Sequence, residues 1–293
     1  MTPDKKRTPC IQQPKLIVMP FQPSDGQSFD GTGLGLHFFL GNLFGVHGKL
    51  TECWFGWRVK KIFPEIHLLK NYCRGNGPFS DIQELGRQEQ VRFWLEGQYR
   101  QKGEEILLSM VLHDTREGMP GSQIQLSMGV NDKLLGVRAV FFDWLASCRL
   151  AFVDSENANW PEQISVKGLD YLGRALETLY LSYIQKGGTE TDKIDLTWFY
   201  RASETSKDSY LTQDLLGWGL YKNGEFTKAE TAFTSALEHN PAGIGALSGM
   251  MWCALCANNR EKAVHYALAK AGCRGGDLEK ARAFVDKRFA DSP

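Results

Sequence analysis

The chain lacks any excess of charge. Lys and Arg together number 34, and so do Asp and Glu. Nucleic-acid binders draw affinity from clustered cations that neutralise phosphates, so this balance argues against a nucleic-acid partner. Long apolar runs are missing too. None approaches the roughly 18–20 residues of a bilayer span, so no membrane insertion is expected. Lys5, Lys6 and Arg7 make a basic start, but Pro14 and Lys15 separate it from an apolar run of strand length only. A secretory leader needs a longer apolar segment and a small-residue cleavage site, so a cytoplasmic location is expected. Seven cysteines in 293 residues are too few for a disulfide framework, and an odd number leaves one unpaired. Reduced, mostly buried thiols are the expectation.

Catalytic signatures are also missing. There is no H-x-x-x-H, no Gly-x-Ser-x-Gly elbow and no Gly-Lys-Ser/Thr. The histidines (His37, His47, His67, His113, His239, His265) are scattered, and Asp25 and Asp30 read as solvated loop carboxylates. No catalytic residue, no metal site and no cofactor is assigned. What remains is 42% hydrophobic residues, enough to bury a core, over a length that suits about two domains.

The texture changes near residue 150. Lys15–Phe21 is a continuous apolar run with β-branched residues and reads as a strand buried on both faces. Leu34–Phe44 has mostly helical spacing, and Leu50–Ile62 reads as a second strand. A turn-rich loop at Asn71–Pro78 leads to a short helix capped by Ser80 or Asp81. Val91–Arg100 and Glu105–Asp114 flank a glycine-containing turn and predict a hairpin. Ser122–Met128 alternates like a half-exposed strand, and Leu134–Leu145 carries the stripe of a helix. The expected fold is an α/β domain over residues 15–149, a mixed sheet with about three helices. It follows a tail at 1–14 and precedes a polar linker at 150–162.

Residues 163–293 read as helices. Ser165–Gln185 and Ile194–Ala202 form a loose pair, and Leu278–Phe289 a terminal cap. Between them the pattern sharpens. With Tyr210 as position 1, Leu216, Gly217, Tyr221, Gly224, Phe226, Ala229, Phe233, Ala236 and Pro241 fall at positions 7, 8, 12, 15, 17, 20, 24, 27 and 32. This resembles the 34-residue tetratricopeptide unit. Gly217 and Ala229 let two helices touch, Gly224 makes the turn, Phe226 and Phe233 fill between repeats, and Pro241 stops the second helix. A degenerate second copy starts at Ile244. The second half is therefore expected to be an all-α tetratricopeptide solenoid, of the kind that needs about three hairpins to bury a core.

The first half resembles the amino-terminal domain of the Tol-system protein TolB, also found beside cyclase or winged-helix domains and tetratricopeptide repeats in bacterial signalling proteins. The resemblance rests on three pieces. The first is Leu16-Ile17-Val18-Met19-Pro20-Phe21 followed by Phe29-Asp30-Gly31. The second is Ile82, Leu85 and Gly86 leading into Phe93-Trp94-Leu95-Glu96-Gly97 and Tyr99. The third is Val111-Leu112-His113-Asp114 with Glu117-Gly118. The helix after the first strand is glycine-rich where the family's is charged, and no cyclase or DNA-binding module is present. The resemblance implies no catalytic residues.

Three features could carry function. In the repeat register the first helix of each hairpin lines a groove, and position 9 is Trp218 in one unit and Trp252 in the next. Asp214, Tyr221, Lys222, Ser248 and Leu255 are their groove neighbours. Two stacked indoles there would suit a protein or peptide partner, because Trp and Tyr favour interface centres; burial under another element is the competing reading. Gly31, Gly33 and Gly35 open a helix after a strand, where an anion could bind, although the spacing also fits close packing. Cys253 and Cys256 form C-x-x-C, read as small packed residues rather than metal ligands. The leading expectation is a non-enzymatic adaptor or scaffold in bacterial signalling or assembly. The alternative is a regulator whose Gly31–Gly35 segment binds a nucleotide or other small anion and which acts on a separate output protein. A homodimer stays open.

Overall fold

A computed structural model describes residues 15–25, 30–47, 52–55, 91–114, 121–129, 135–148, 164–185, 193–273 and 275–291. The N-terminal tail, the loop at 71–78, the helix expected at Ser80 or Asp81 and the linker at 150–162 lie outside them.

The apolar run at Lys15 forms β1 (Lys15–Val18), which sits parallel between β3 (Glu52–Phe55) and β4 (Val91–Lys102). Its neighbours on both sides explain why apolar residues are unbroken there. Leu16 and Val18 face the main core, while Ile17 joins Met19, Val91 and Trp94 in a small cluster of its own. The strand ends before the expected Phe21. Met19 N–H still donates to the Leu95 carbonyl at 2.8 Å, but Pro20 has no N–H to give, and Phe21 N–H turns to the Gly33 carbonyl. A two-residue β2 (Gln22–Pro23) then rejoins β4 one residue out of register.

β4 and β5 (Glu105–Asp114) form the expected hairpin, with β6 (Ser122–Gly129) outside it. Gly103 takes φ +62° in the two-residue turn, the position a type II′ turn reserves for glycine. The sheet order is β3-β1-β4-β5-β6, parallel on one side and antiparallel on the other. Helix α1 (Gly31–His47) and helix α2 (Leu135–Ser147) add Leu36, Leu40, Leu43, Phe141 and Leu145 to the sheet's core.

The rest is helical: α3 (Val166–Gln185), α4 (Thr197–Thr205), α5 (Tyr210–Lys222), α6 (Phe226–His239), α7 (Ile244–Cys256), α8 (Arg260–Cys273) and α9 (Leu278–Ala290). Each packs on the next, and α5 also touches α7. Helix α4 starts later than expected because the Asp195 carboxylate accepts the Thr197 N–H (2.9 Å) and hydroxyl (2.7 Å), fixing the first turn there. A turn geometry recurs 34 residues apart. Gly224 (φ +77°) and Asn258 (φ 54°) both adopt left-handed backbone after a helix. Glu225 N–H then reaches the Leu220 carbonyl, and Asn259 N–H the Ala254 carbonyl. These are Schellman closures.

One hydrophobic core runs from the sheet through α1 and α3 to α7. Glycines make the α1–α3 contact. A Cβ on Gly173 would collide with the Gly31 carbonyl oxygen, and one on Gly35 with the Leu169 carbonyl. The backbones of the two helices are therefore as close as side-chain-free residues allow.

Candidate functional site

Trp218 and Tyr221 lie one turn apart on α5, so their rings stack up one face of the helix. Trp218 meets Tyr221 edge-on at 5.8 Å and Phe233 edge-on at 5.4 Å, and Tyr221 lies 5.4 Å from Phe226. These spacings are those of favourable aromatic pairs. The result is a ladder of four rings. Its inner end, Phe233, is fully buried and wedged between Gly217 of α5 and Gly249 of α7. Its outer end, Phe226, is 38% exposed. Phe226 thus does not fill between repeats as expected; it begins α6 at the turn, with the Tyr221 ring beside it and much of its own ring in solvent. The Tyr221 hydroxyl lies 3.6 Å from the Cys256 sulfur, which ties the ladder to α7.

Asp214 is not a groove residue. It is buried, and α7 approaches so closely at Gly245 that any Cβ there would strike its carboxylate. Among the described residues its Oδ1 has no hydrogen-bond partner. Burial raises its pKa to about 7, against the opposing pull of hydrogen bonds from the Trp218 indole and the Tyr210 hydroxyl. Tyr210, also buried, accepts the Gly245 N–H at 3.2 Å. A polar thread thus links the ladder to the start of α7.

The two indoles do not stack on each other. Trp252 meets Phe284 of α9 edge-on at 6.0 Å and lies under the Arg288 guanidinium at 5.5 Å. The last helix covers it in part, and it belongs to a second hydrophobic cluster with Leu255. Ser248 accepts a hydrogen bond from the Lys270 ammonium at 3.1 Å. Lys222 is half-buried in the last turn of α5, where a cation suits the helix dipole.

The glycine run lies inside α1. Gly31 and Gly35 face α3, and a Cβ on Gly33 would strike the Phe21 carbonyl. The Asp30 carboxylate accepts the Gly33 N–H at 2.9 Å and also bonds the Tyr99 hydroxyl. A carboxylate therefore already occupies the place where an anion would meet the helix N-terminus. His37, on the same helix, is buried, which pushes its pKa down to about 3 and keeps the ring neutral.

Cys253 is buried and its thiol pushed up to about 11, by burial first and then by its neighbour Cys256, which is exposed. Among the described residues no three His, Cys, Asp or Glu side chains converge on a metal position. Among those residues no helix is long and apolar enough to cross a membrane.

Two clusters went unnoticed in the sequence. Arg174 and Arg201 both lie over the Trp198 ring, at 5.0 and 4.9 Å, and Tyr171 stacks beside it at 5.8 Å. The only linear signal is an aromatic residue three before an arginine, in Tyr171–Arg174 and again in Trp198–Arg201. On the outer face of the sheet, His113 stacks on Trp94 at 4.5 Å and bonds Glu96 at 2.8 Å, next to the Arg92–Asp114 ion pair.

No family model matches the chain, and no curated protein matches it. Among solved structures it is similar to the LpoB C-terminal domain from Salmonella enterica (TM-score 0.27, 12% identity, 41% of this chain and 87% of that one). It is also similar to the lipoprotein GNA1162 from Neisseria meningitidis (TM-score 0.26, 14% identity, 46% of this chain and 97% of that one). Both likenesses are loose.

Proposed function

We propose that the chain is a non-enzymatic interaction protein, a scaffold or adaptor, that holds an extended segment of a partner protein against α5 and the start of α6. The observation that carries this reading is the aromatic ladder. A fully buried ring at one end fixes the others, and the far end meets solvent at Phe226 and Tyr221. Rigid aromatic rings present large contact area at small entropic cost, the usual makeup of an interface centre. The finer form of the proposal is a tetratricopeptide-type array behind a TolB-like α/β domain. The 34-residue recurrence of the Gly224 and Asn258 turns supports that form.

A random-peptide display selection on the intact chain tests it. Peptides enriched on the wild type should bind the Tyr221→Ala/Phe226→Ala variant at least about tenfold more weakly, the loss of one interface hot spot. Equal binding to the two, or no enrichment, rejects the site.

A further inference from the structure

Among the described residues β6 is the outer strand of its sheet. It pairs with β5 along its whole length without a register shift, and among the described residues no strand pairs with its other side. Natural edge strands are guarded by charge, proline, a bulge or shortness. The opposite edge strand, β3, is four residues long and begins with Glu52. β6 has none of these guards: it reads Ser-Gln-Ile-Gln-Leu-Ser-Met-Gly over eight residues. The two-residue turn at Gly103 makes Lys102 and Glu105 a hydrogen-bonded pair, and bonding direction alternates from there. Even-numbered residues of β6 therefore bond β5, and the backbone groups of Gln123, Gln125 and Ser127 point outward. All three residues are exposed, and among the described residues nothing donates to or accepts from those outward groups.

We infer that β6 pairs with β6 of a second copy of this chain, antiparallel, about a two-fold axis at Gln125. The strand's chemistry is nearly palindromic about that residue. Gln125 opposes Gln125, whose amide both donates and accepts. Gln123 opposes Ser127 on the outer face, and Ile124 opposes Leu126 on the helix side. This register satisfies all three outward residues of each copy, with about six backbone hydrogen bonds, two per matched pair. No like charges meet. A two-fold contact uses the same patch twice, and this patch fits itself. It also sets both copies of α2 on one side of the joined sheet. There α2 packs on β6 through the Trp144 indole N–H to the Ser122 hydroxyl (2.9 Å) and leaves Val140 49% exposed.

Sedimentation velocity of the intact chain over a concentration series tests this. The wild type should shift with concentration toward twice the 33.0 kDa chain mass. Gln125→Pro deletes an outward N–H without touching the β5 ladder, and should stay monomeric with the unfolding midpoint that the wild type shows when diluted to monomer. Gln125→Lys sets like charges face to face at the axis, and should weaken the dimer in a way that added salt reverses. The lysine variant carries the test should the proline variant misfold. A wild type that stays monomeric throughout, even one that binds a foreign peptide along β6, overturns the inference. So does either variant dimerising as well as the wild type.

Discussion

Asp214 makes the packing of α5 against α7 dependent on pH, and Asp214→Asn isolates that dependence. The carboxyl is buried, and burial raises its pKa from 3.8 to about 7. Below 3.8 both folded and unfolded chains hold its proton. Between 3.8 and about 7 the unfolded chain has released it while the folded chain keeps it. The folded state then binds more protons, so stability falls as pH rises through that window and levels off above it. A shift of about three units, at about 1.4 kcal/mol each, sets a ceiling of about 4 kcal/mol on the loss. Asparagine keeps the shape and an acceptor oxygen for Tyr210 and Trp218, and carries no charge. Urea unfolding of both chains from pH 4 to pH 8.5 gives the difference curve, in which all other titrating groups cancel. The variant should gain on the wild type steadily from about pH 4 to pH 7, then hold a constant advantage. Parallel curves, or a variant that loses ground with rising pH, would refute the reasoning.

The glycine contact between α1 and α3 predicts that Gly173→Ala lowers the unfolding free energy from urea titration by at least the ~1–3 kcal/mol typical of overpacking, while one cooperative transition is kept; an unchanged midpoint contradicts the close approach. The repeated turn predicts opposite signs at its two sites. Gly224→Ala should cost about 1 kcal/mol and Asn258→Gly should gain up to about 1 kcal/mol, as thermal unfolding would show. Neutral iodoacetamide followed by peptide mapping should modify Cys256 and Cys273 in the folded protein and spare Cys253 until denaturant is added; labelling of Cys253 at the same rate would contradict its burial.

The hairpin about Gly103 and, apart from the short β2, the order of the described strands and helices were legible because turn chemistry and apolar period are local. The repeat register has Phe233 filling between units and Gly217 letting two helices touch; that the missing side chain of Gly217 makes room for the Phe233 ring was not legible, because the register does not say which side chain meets which. The fate of Asp214 was not legible either. Its register position belongs to a groove, and it is buried only because Gly245, 31 residues later, lets α7 close over it. For Trp252 the sequence left open both a groove and cover by another element, and Phe284 and Arg288 supply partial cover from α9, a helix the repeat pattern does not describe. The glycines of α1 read first as close packing of a helix on the sheet, with an anion-binding loop as the lesser alternative. Gly173, far along the chain, decides between them, and nothing in the sequence near Gly31 points to it.

Site-specific photo-crosslinking in producing cells tests the central claim most directly. A photoreactive residue would be placed at position 226, with one at position 181 as control, since Leu181 is a similarly exposed apolar residue (37%) on α3. Adducts to a partner segment from position 226, absent from position 181 and lost on Tyr221→Ala, are the predicted result. No adduct from 226, or equal adducts from both positions, would contradict it.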